Sequence, residues 1–293
     1  MNDLTPFRPA TPAMIVGRSI DDGPAPLGLS EPFALLGGDR LGPDGIPFEL
    51  MHEHQPAFLR SVTATCQALV ASGGTWFRAA PMLLTGPQGS GRTHAARWLA
   101  QKAGVPHVVL NLSDPLIAGS IASSGDVGEA LWATPVTVAM AATRCANPVA
   151  TVIGLDRVGD DVANGFAAMV DPATCRSWSE DQLEIMMDYG EVSWVIQCDS
   201  LTKVPPSLCE QAAHIAFTNF PRGTATTAAL SIMLEVVHDL GLDPANPALN
   251  WPQVERRLGG YHGSAKQLYR EMTDAVRWAA RGEEPDPDFD VPY

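Results

Sequence analysis

Gly86-Pro87-Gln88-Gly89-Ser90-Gly91-Arg92-Thr93 is the stretch whose reading decides the fold. It follows an apolar run, Met82-Leu83-Leu84, and precedes an Ala-rich segment, His94 to Ala103, with the composition of a helix. Strand, glycine-rich loop and helix form the setting in which this pattern binds phosphate. Glycines at 86, 89 and 91 let the backbone turn its N–H groups inward as an anion nest, and a helix opening near Arg92 adds the positive end of its dipole. All eight residues are therefore candidate nucleotide contacts, with the Thr93 hydroxyl as the candidate magnesium ligand. Arg92 stands where a lysine is usual. A planar fork on a longer stem does not reproduce a compact ammonium at the β and γ phosphates, so ATP or ADP is expected to bind weakly.

Composition bounds the rest. With 293 residues, 45% apolar and 18% charged, the chain can bury one large core and a smaller appended one. No apolar run reaches the roughly 18 residues that cross a bilayer, and the polar, Pro-rich start has no signal pattern, so a cytoplasmic protein without membrane partners is expected. The five cysteines are scattered and odd in number, without metal-ligand spacing, which favours reduced thiols. His52 and His54 flank Glu53, but two alternating histidines lack further ligands, and a surface or cap role is favoured. The net charge is −14 and lies mostly at the ends: residues 1 to 50 hold seven acids and three bases, and residues 282 to 293 five acids and no base. With no basic stripe, nucleic-acid binding is disfavoured.

Punctuation divides the chain into four parts. Residues 1–48, broken by Pro24, Pro26, Pro32, Pro43 and Pro47, read as an extended arm, although Pro32 to Leu36 is apolar enough to need a surface. Phe48 to Ala71 has helical spacing, and strands are predicted at Met82 to Thr85, Val108 to Leu112, Val149 to Leu155, Val192 to Cys198 and His214 to Phe217. Helical segments, notably His94 to Ala103 and Glu129 to Cys145, lie between them. This alternation predicts an α/β domain over 49–221, a parallel sheet flanked by helices. Helices at Thr226 to Leu240 and Gly263 to Arg281 predict a small all-helical domain over 222–281, and 282–293 reads as a solvated acidic tail.

An ordered series of short motifs then carries a family resemblance. Asn147-Pro148-Val149 with the apolar run to Asp156-Arg157, then Asp171-Pro172, Ser179-Glu180-Asp181, Leu183-Glu184-Ile185, Asp188-Tyr189, Trp194-Val195-Ile196, Pro205-Pro206-Ser207-Leu208 and Gly263 to Glu271 resemble, in order, the AAA+ ATPase module of Lon-type proteases. The likeness covers about residues 50 to 280 and implies a P-loop AAA+ sheet followed by a helical lid. It does not extend to the family's protease domain, so proteolysis is not expected of this chain. Ser123-Ser124-Gly125-Asp126 resembles the glycine-rich turn before the pore-facing part of the module, with a plain surface loop as the commoner explanation.

The same resemblance implies that the hydrolytic groups have been replaced. The family's magnesium aspartate and water-activating glutamate, aligned on Asn147-Pro148, correspond to Ile153 and Gly154, with Asp156 matching a later, nonhydrolytic aspartate. A reading from the apolar run alone takes Asp156 as the magnesium acid instead, and the next residue is then Arg157. Neither register supplies a catalytic base. The sensor-1 asparagine corresponds to Asp199, the arginine finger to Gln211 and the sensor-2 arginine to Lys266. An aspartate would face phosphate with like charge, and Gln211 has no charge to offer a neighbouring subunit. Two functions are consistent with this. One is a hydrolysis-deficient AAA+ scaffold that binds a protein partner, monomeric or a small oligomer alone and able to co-assemble with an active AAA+ protein. The other is a working ATPase whose acid comes from elsewhere, such as Asp160, Asp161 or Glu191.

Overall fold

The computed structural model describes residues 11–21, 23–41, 55–122, 133–181, 183–219, 232–234, 236–237, 239–243, 245 and 263–281. His52, His54, the 123–126 turn, most of the expected 226–240 helix and the acidic tail lie outside these residues.

Five strands make one parallel sheet: β4 (Met82–Thr85), β5 (His107–Asn111), β6 (Val149–Ile153), β9 (Ser193–Cys198) and β10 (Ala213–Ala216), in the order β10-β4-β9-β6-β5. Every residue of β9 is buried, as are the first four of β6, which is the near-continuous apolar run that a sheet covered on both faces requires. The order has a switch beside β4. The chain leaves β4 for the far edge, steps back through β6 to β9, and crosses β4 to reach β10. Ligand crevices in open α/β sheets form at such a reversal, outside the carboxyl ends of the strands.

Two apolar clusters fill the two faces. On one, α1 (Pro56–Ala71) and α2 (Arg92–Ala103) cover Met82, Leu84, Val149, Val195 and Ile215. The small Ala95, Ala96, Ala100 and Ala103 are buried along α2 and let its backbone lie close to the sheet. Gly104, left-handed at φ 68°, ends that helix. On the other face, α4 (Pro135–Thr143), α5 (Asp160–Val170) and residues from the chain's start cover Leu83, Ala150, Val152, Trp194 and Ile196. Phe166 and Tyr189 meet Trp194 edge-on at 5.4 and 6.2 Å.

The first described residues are structured. β1 (Ala13–Ile15) pairs antiparallel with β3 (Pro32–Ala34), and β2 (Gly17–Ser19) joins β8 (Ile185–Met187) and β7 (Trp178–Glu180) in a three-stranded antiparallel sheet. Phe33 is fully buried, with the Arg144 guanidinium 4.3 Å from its ring centre. Three-residue strands carry too little periodicity to be seen in sequence, which is why these pairings were not expected.

Several boundaries also differ from expectation. β6 stops at Ile153 rather than Leu155, because Gly154 is left-handed at φ 85° and Leu155–Arg157 then turns as a short 3-10 helix. The helix expected from Glu129 begins, among the described residues, at Pro135, where the Thr134 side chain accepts from the Thr137 N–H as a cap. After α3 (Pro115–Gly119) and α6 (Pro206–Gln211), the last described helix is α7 (Ala265–Arg281).

Candidate functional site

The cleft forms where the carboxyl ends of β4, β6 and β9 meet the start of α2. Gly86 leaves β4 at φ 141°, and a Cβ there would lie 2.3 Å from the Phe217 carbonyl oxygen, so only glycine turns the chain at this point. Gly89 and Gly91 follow at φ 85° and 93°, and α2 opens at Arg92 with Gly91 in the cap position. The space beside this loop is about 490 Å³, and its walls include Gly89, Thr93, Gly154, Asp156, Gln197 and Lys266.

Arg92 does not project freely into this space. Its side chain is 8% exposed and donates to the Cys198 carbonyl at 2.6 Å and to Asp199 Oδ1 at 2.9 Å. Arg157, from the turn after β6, donates to the other Asp199 oxygen at 2.5 Å. The backbone N–H groups of Asp199 and Ser200 donate in turn to Asp156 Oδ2 at 2.7 and 3.2 Å. The Arg92 and Arg157 guanidinium groups hold the Asp199 carboxyl below the usual carboxylate range, while Asp199 raises Arg157. Burial, reinforced by the Asp156 charge, pushes the Cys198 thiol up to about 11.

The two candidate magnesium residues both line the cleft, and each has protein partners. Thr93 donates from its hydroxyl to Gln197 Oε1 at 3.1 Å, and Asp156 accepts the two N–H groups just named. Magnesium takes oxygen ligands in near-octahedral order. A threonine hydroxyl and one carboxylate suit it chemically, but no group of three or more His, Cys, Asp or Glu is gathered for a metal among the described residues. Ser90 Oγ in the loop and Gln197 Nε2 on the cleft wall are buried without a hydrogen-bond partner among the described residues.

The remaining sequence candidates divide. Lys266 lines the cleft, and its backbone N–H donates to the Gly89 carbonyl at 3.1 Å, so the first turn of α7 rests on the glycine-rich loop. A Cβ at Gly91 would lie 3.3 Å from Ala265 Cβ. Gln211 lies elsewhere, exposed at the end of α6, and donates to Asp171 Oδ2 at 3.1 Å. Glu191 precedes β9 at the opposite end of the sheet, buried and accepting from Trp76 Nε1 and Arg176. Asp160 and Asp161 begin α5, and neither is among the residues lining the cleft.

Arg97 and Tyr269 also line the cleft and were not singled out from sequence. Both bond Asp239, Arg97 through a fork at 2.5 and 3.1 Å and the Tyr269 hydroxyl at 2.9 Å. Arg97 follows Thr93 by four residues, the spacing that puts both on one face of a helix, and that signal was available. Arg92, Arg97, Arg157 and Lys266 give one cleft four of the cations of a strongly acidic chain.

No protein-family model matches the chain. Over 207 residues it is 20% identical to the Lon protease of Elusimicrobium minutum (strain Pei191), an alignment that covers 68% of this chain and 25% of that protein. The chain thus spans about a quarter of the relative it matches. The chain is thus an α/β protein with a five-stranded parallel sheet and a glycine-rich loop at its switch, similar over part of its length to a Lon protease.

Proposed function

We propose that this chain is an AAA+ P-loop module related to the ATPase part of Lon-type proteases, that it no longer hydrolyses ATP, and that it acts as a protein-binding scaffold with a weak nucleotide site. Residues 222–281 are its helical lid, and the rest of α7 on the phosphate loop supports that assignment. One observation carries the proposal: the cation at the phosphate-lysine position is turned onto β9 and paired with Asp199. Where the resemblance expects a magnesium acid and a base, the strand ends in Ile153 and is followed by Gly154. Glu191, Asp160 and Asp161, the alternative acids, do not line the cleft.

Hydrolysis needs a group to orient water and positive charge on the transferring phosphoryl. With no carboxylate at the base position to orient water and Gln211 in place of the arginine finger, phosphate release from ATP is expected at background, and titration calorimetry with magnesium should give a Kd no tighter than high micromolar. Losing the lysine geometry costs about 1–3 kcal/mol, the worth of a charge-assisted hydrogen bond. The pair Ile153→Asp and Gly154→Glu should not restore turnover. Steady ATPase activity that disappears in Thr93→Ala would overturn the proposal.

A further inference from the structure

Asp199 occupies the cleft wall with its carboxylate between two cations. Its two carboxylate oxygens are divided between two guanidinium groups, Oδ1 to Arg92 at 2.9 Å and Oδ2 to Arg157 at 2.5 Å. The cations come from different elements, the first residue of α2 and the turn after β6, and all three residues line the same cleft as Gly89, Gly91 and Thr93. Guanidinium groups bind carboxylates and phosphates by the same fork geometry, so one anion can stand in for the other. Around this pair the cleft keeps polar capacity that the protein does not use. Gln197 Nε2, on a cleft-lining residue 6% exposed, has no hydrogen-bond partner among the described residues.

We propose that Asp199 is a built-in anion that competes with polyphosphate ligands for Arg92 and Arg157, and that removing its charge converts the cleft into a binding site for nucleoside polyphosphates. The inference rests on the reading of the cleft as a phosphate site. It adds that the weakness of the site comes from an internal occupant as well as from the change of lysine to arginine. Asp199 follows β9 directly, and its N–H is fixed to Asp156, so the carboxylate is presented at high effective concentration and no free ligand has to be ordered. An incoming phosphate binds only the fraction of molecules in which the carboxylate has let go, and its apparent affinity falls by that fraction. A carboxylate paired more than about nine-tenths of the time thus lowers affinity at least tenfold.

The test is calorimetric titration of the full chain and of Asp199→Asn with ATP, ADP and inorganic tripolyphosphate, without magnesium and at low salt. Asparagine keeps the shape and leaves both guanidinium groups without their anion. ATP and tripolyphosphate are expected to bind Asp199→Asn at least tenfold tighter than the parent, and the gain should vanish in Asp199→Asn/Arg157→Gln. Asp199→Ser, read with the same ligands, covers the case in which asparagine unsettles the fold; melting curves of all variants identify that case. Equal affinity of parent and both neutral variants for every ligand overturns the inference. Tripolyphosphate tightening without ATP tightening supports the internal anion and counts against a nucleotide as its competitor. Tight magnesium-dependent ATP binding by the parent would instead remove the weak-site reading, while the ratio of variant to parent still decides the role of Asp199.

Discussion

His107 shows how a single side chain ties the sheet to pH. It opens β5, and its Nε2 lies 2.8 Å from the hydroxyl of the fully buried Thr151 on β6. Burial, and then the charge of Arg97, lowers its pKa from 6.5 to about 4. The unfolded chain therefore takes up a proton between those values that the folded chain refuses. Stability from this residue is fully present above the unfolded value and is lost as pH falls from about 6.5 towards 4. Full burial would make the loss about 3 kcal/mol, and partial solvation of the ring reduces it to about 1–2 kcal/mol. Urea unfolding at pH 7 and pH 4.5 should show a larger drop for the parent than for His107→Gln. Equal drops would remove the histidine from the account. Of the residues in the cleft, Arg92 and Asp199 were legible from the phosphate loop and the resemblance. Their pairing was not, because it joins positions 107 residues apart.

At the scale of elements, the β7–β8 hairpin is fastened to α4 by a polar cluster in the core. Glu180, at the end of β7, is 3% exposed, and its Oε1 accepts from Thr134 Oγ1 at 2.6 Å, from Thr137 Oγ1 at 2.7 Å and from the Tyr189 hydroxyl. The Thr134 N–H donates to Oε2 at 3.2 Å. The carboxylate thus satisfies several donors at the start of α4, and the Tyr189 hydroxyl is held well above its ordinary pKa by burial and by Glu180. Tyr189→Phe removes one donor cleanly and should cost about 1–2 kcal/mol. Glu180→Leu leaves the other partners buried without an acceptor and should cost about 3 kcal/mol or more. Denaturant midpoints check both, and a Glu180→Leu variant within about 0.5 kcal/mol of the parent would show that the cluster is dispensable. The motif containing Glu180 was visible in sequence as part of the resemblance. Its structural meaning depends on α4, whose cap residue Thr134 lies 46 positions earlier.

Over the whole molecule, residues 13–21 and 23–36 extend the core rather than hang from it. Val16, Leu29, Phe33 and Leu35 belong to the same cluster as Leu83, Val152 and Ile196 of the sheet, and Asn147 bonds both the N–H and the C=O of Leu36 at 2.9 Å. Burying a phenylalanine side chain alone contributes about 1.5–3 kcal/mol. Limited proteolysis of the purified chain should therefore spare this segment. In the proposed function, a ring would lack the nucleotide and finger contributions at each junction, so light scattering in nucleotide-free buffer should find a monomer or small oligomer. A stable homohexamer would contradict this, as would rapid cleavage within residues 13–36.

What the sequence by itself determined is what short-range physics controls. The apolar runs of β4, β6 and β9 allow a buried parallel sheet, the glycines at 86, 89 and 91 allow the loop, and neither Gly154 nor Arg157, the residue that each register puts at the base position, is a carboxylate. No helix among the described residues is long and apolar enough to cross a membrane, which the absence of a long apolar run already implied. Tertiary structure alone decided which anion Arg92 meets, where the first turn of α7 rests and which strands the chain's start joins. Those outcomes depend on groups more than a hundred residues apart arriving within hydrogen-bond distance. A long cationic side chain reaches several partners equally well until the fold chooses one, and a three-residue strand carries no pattern until its neighbour is present.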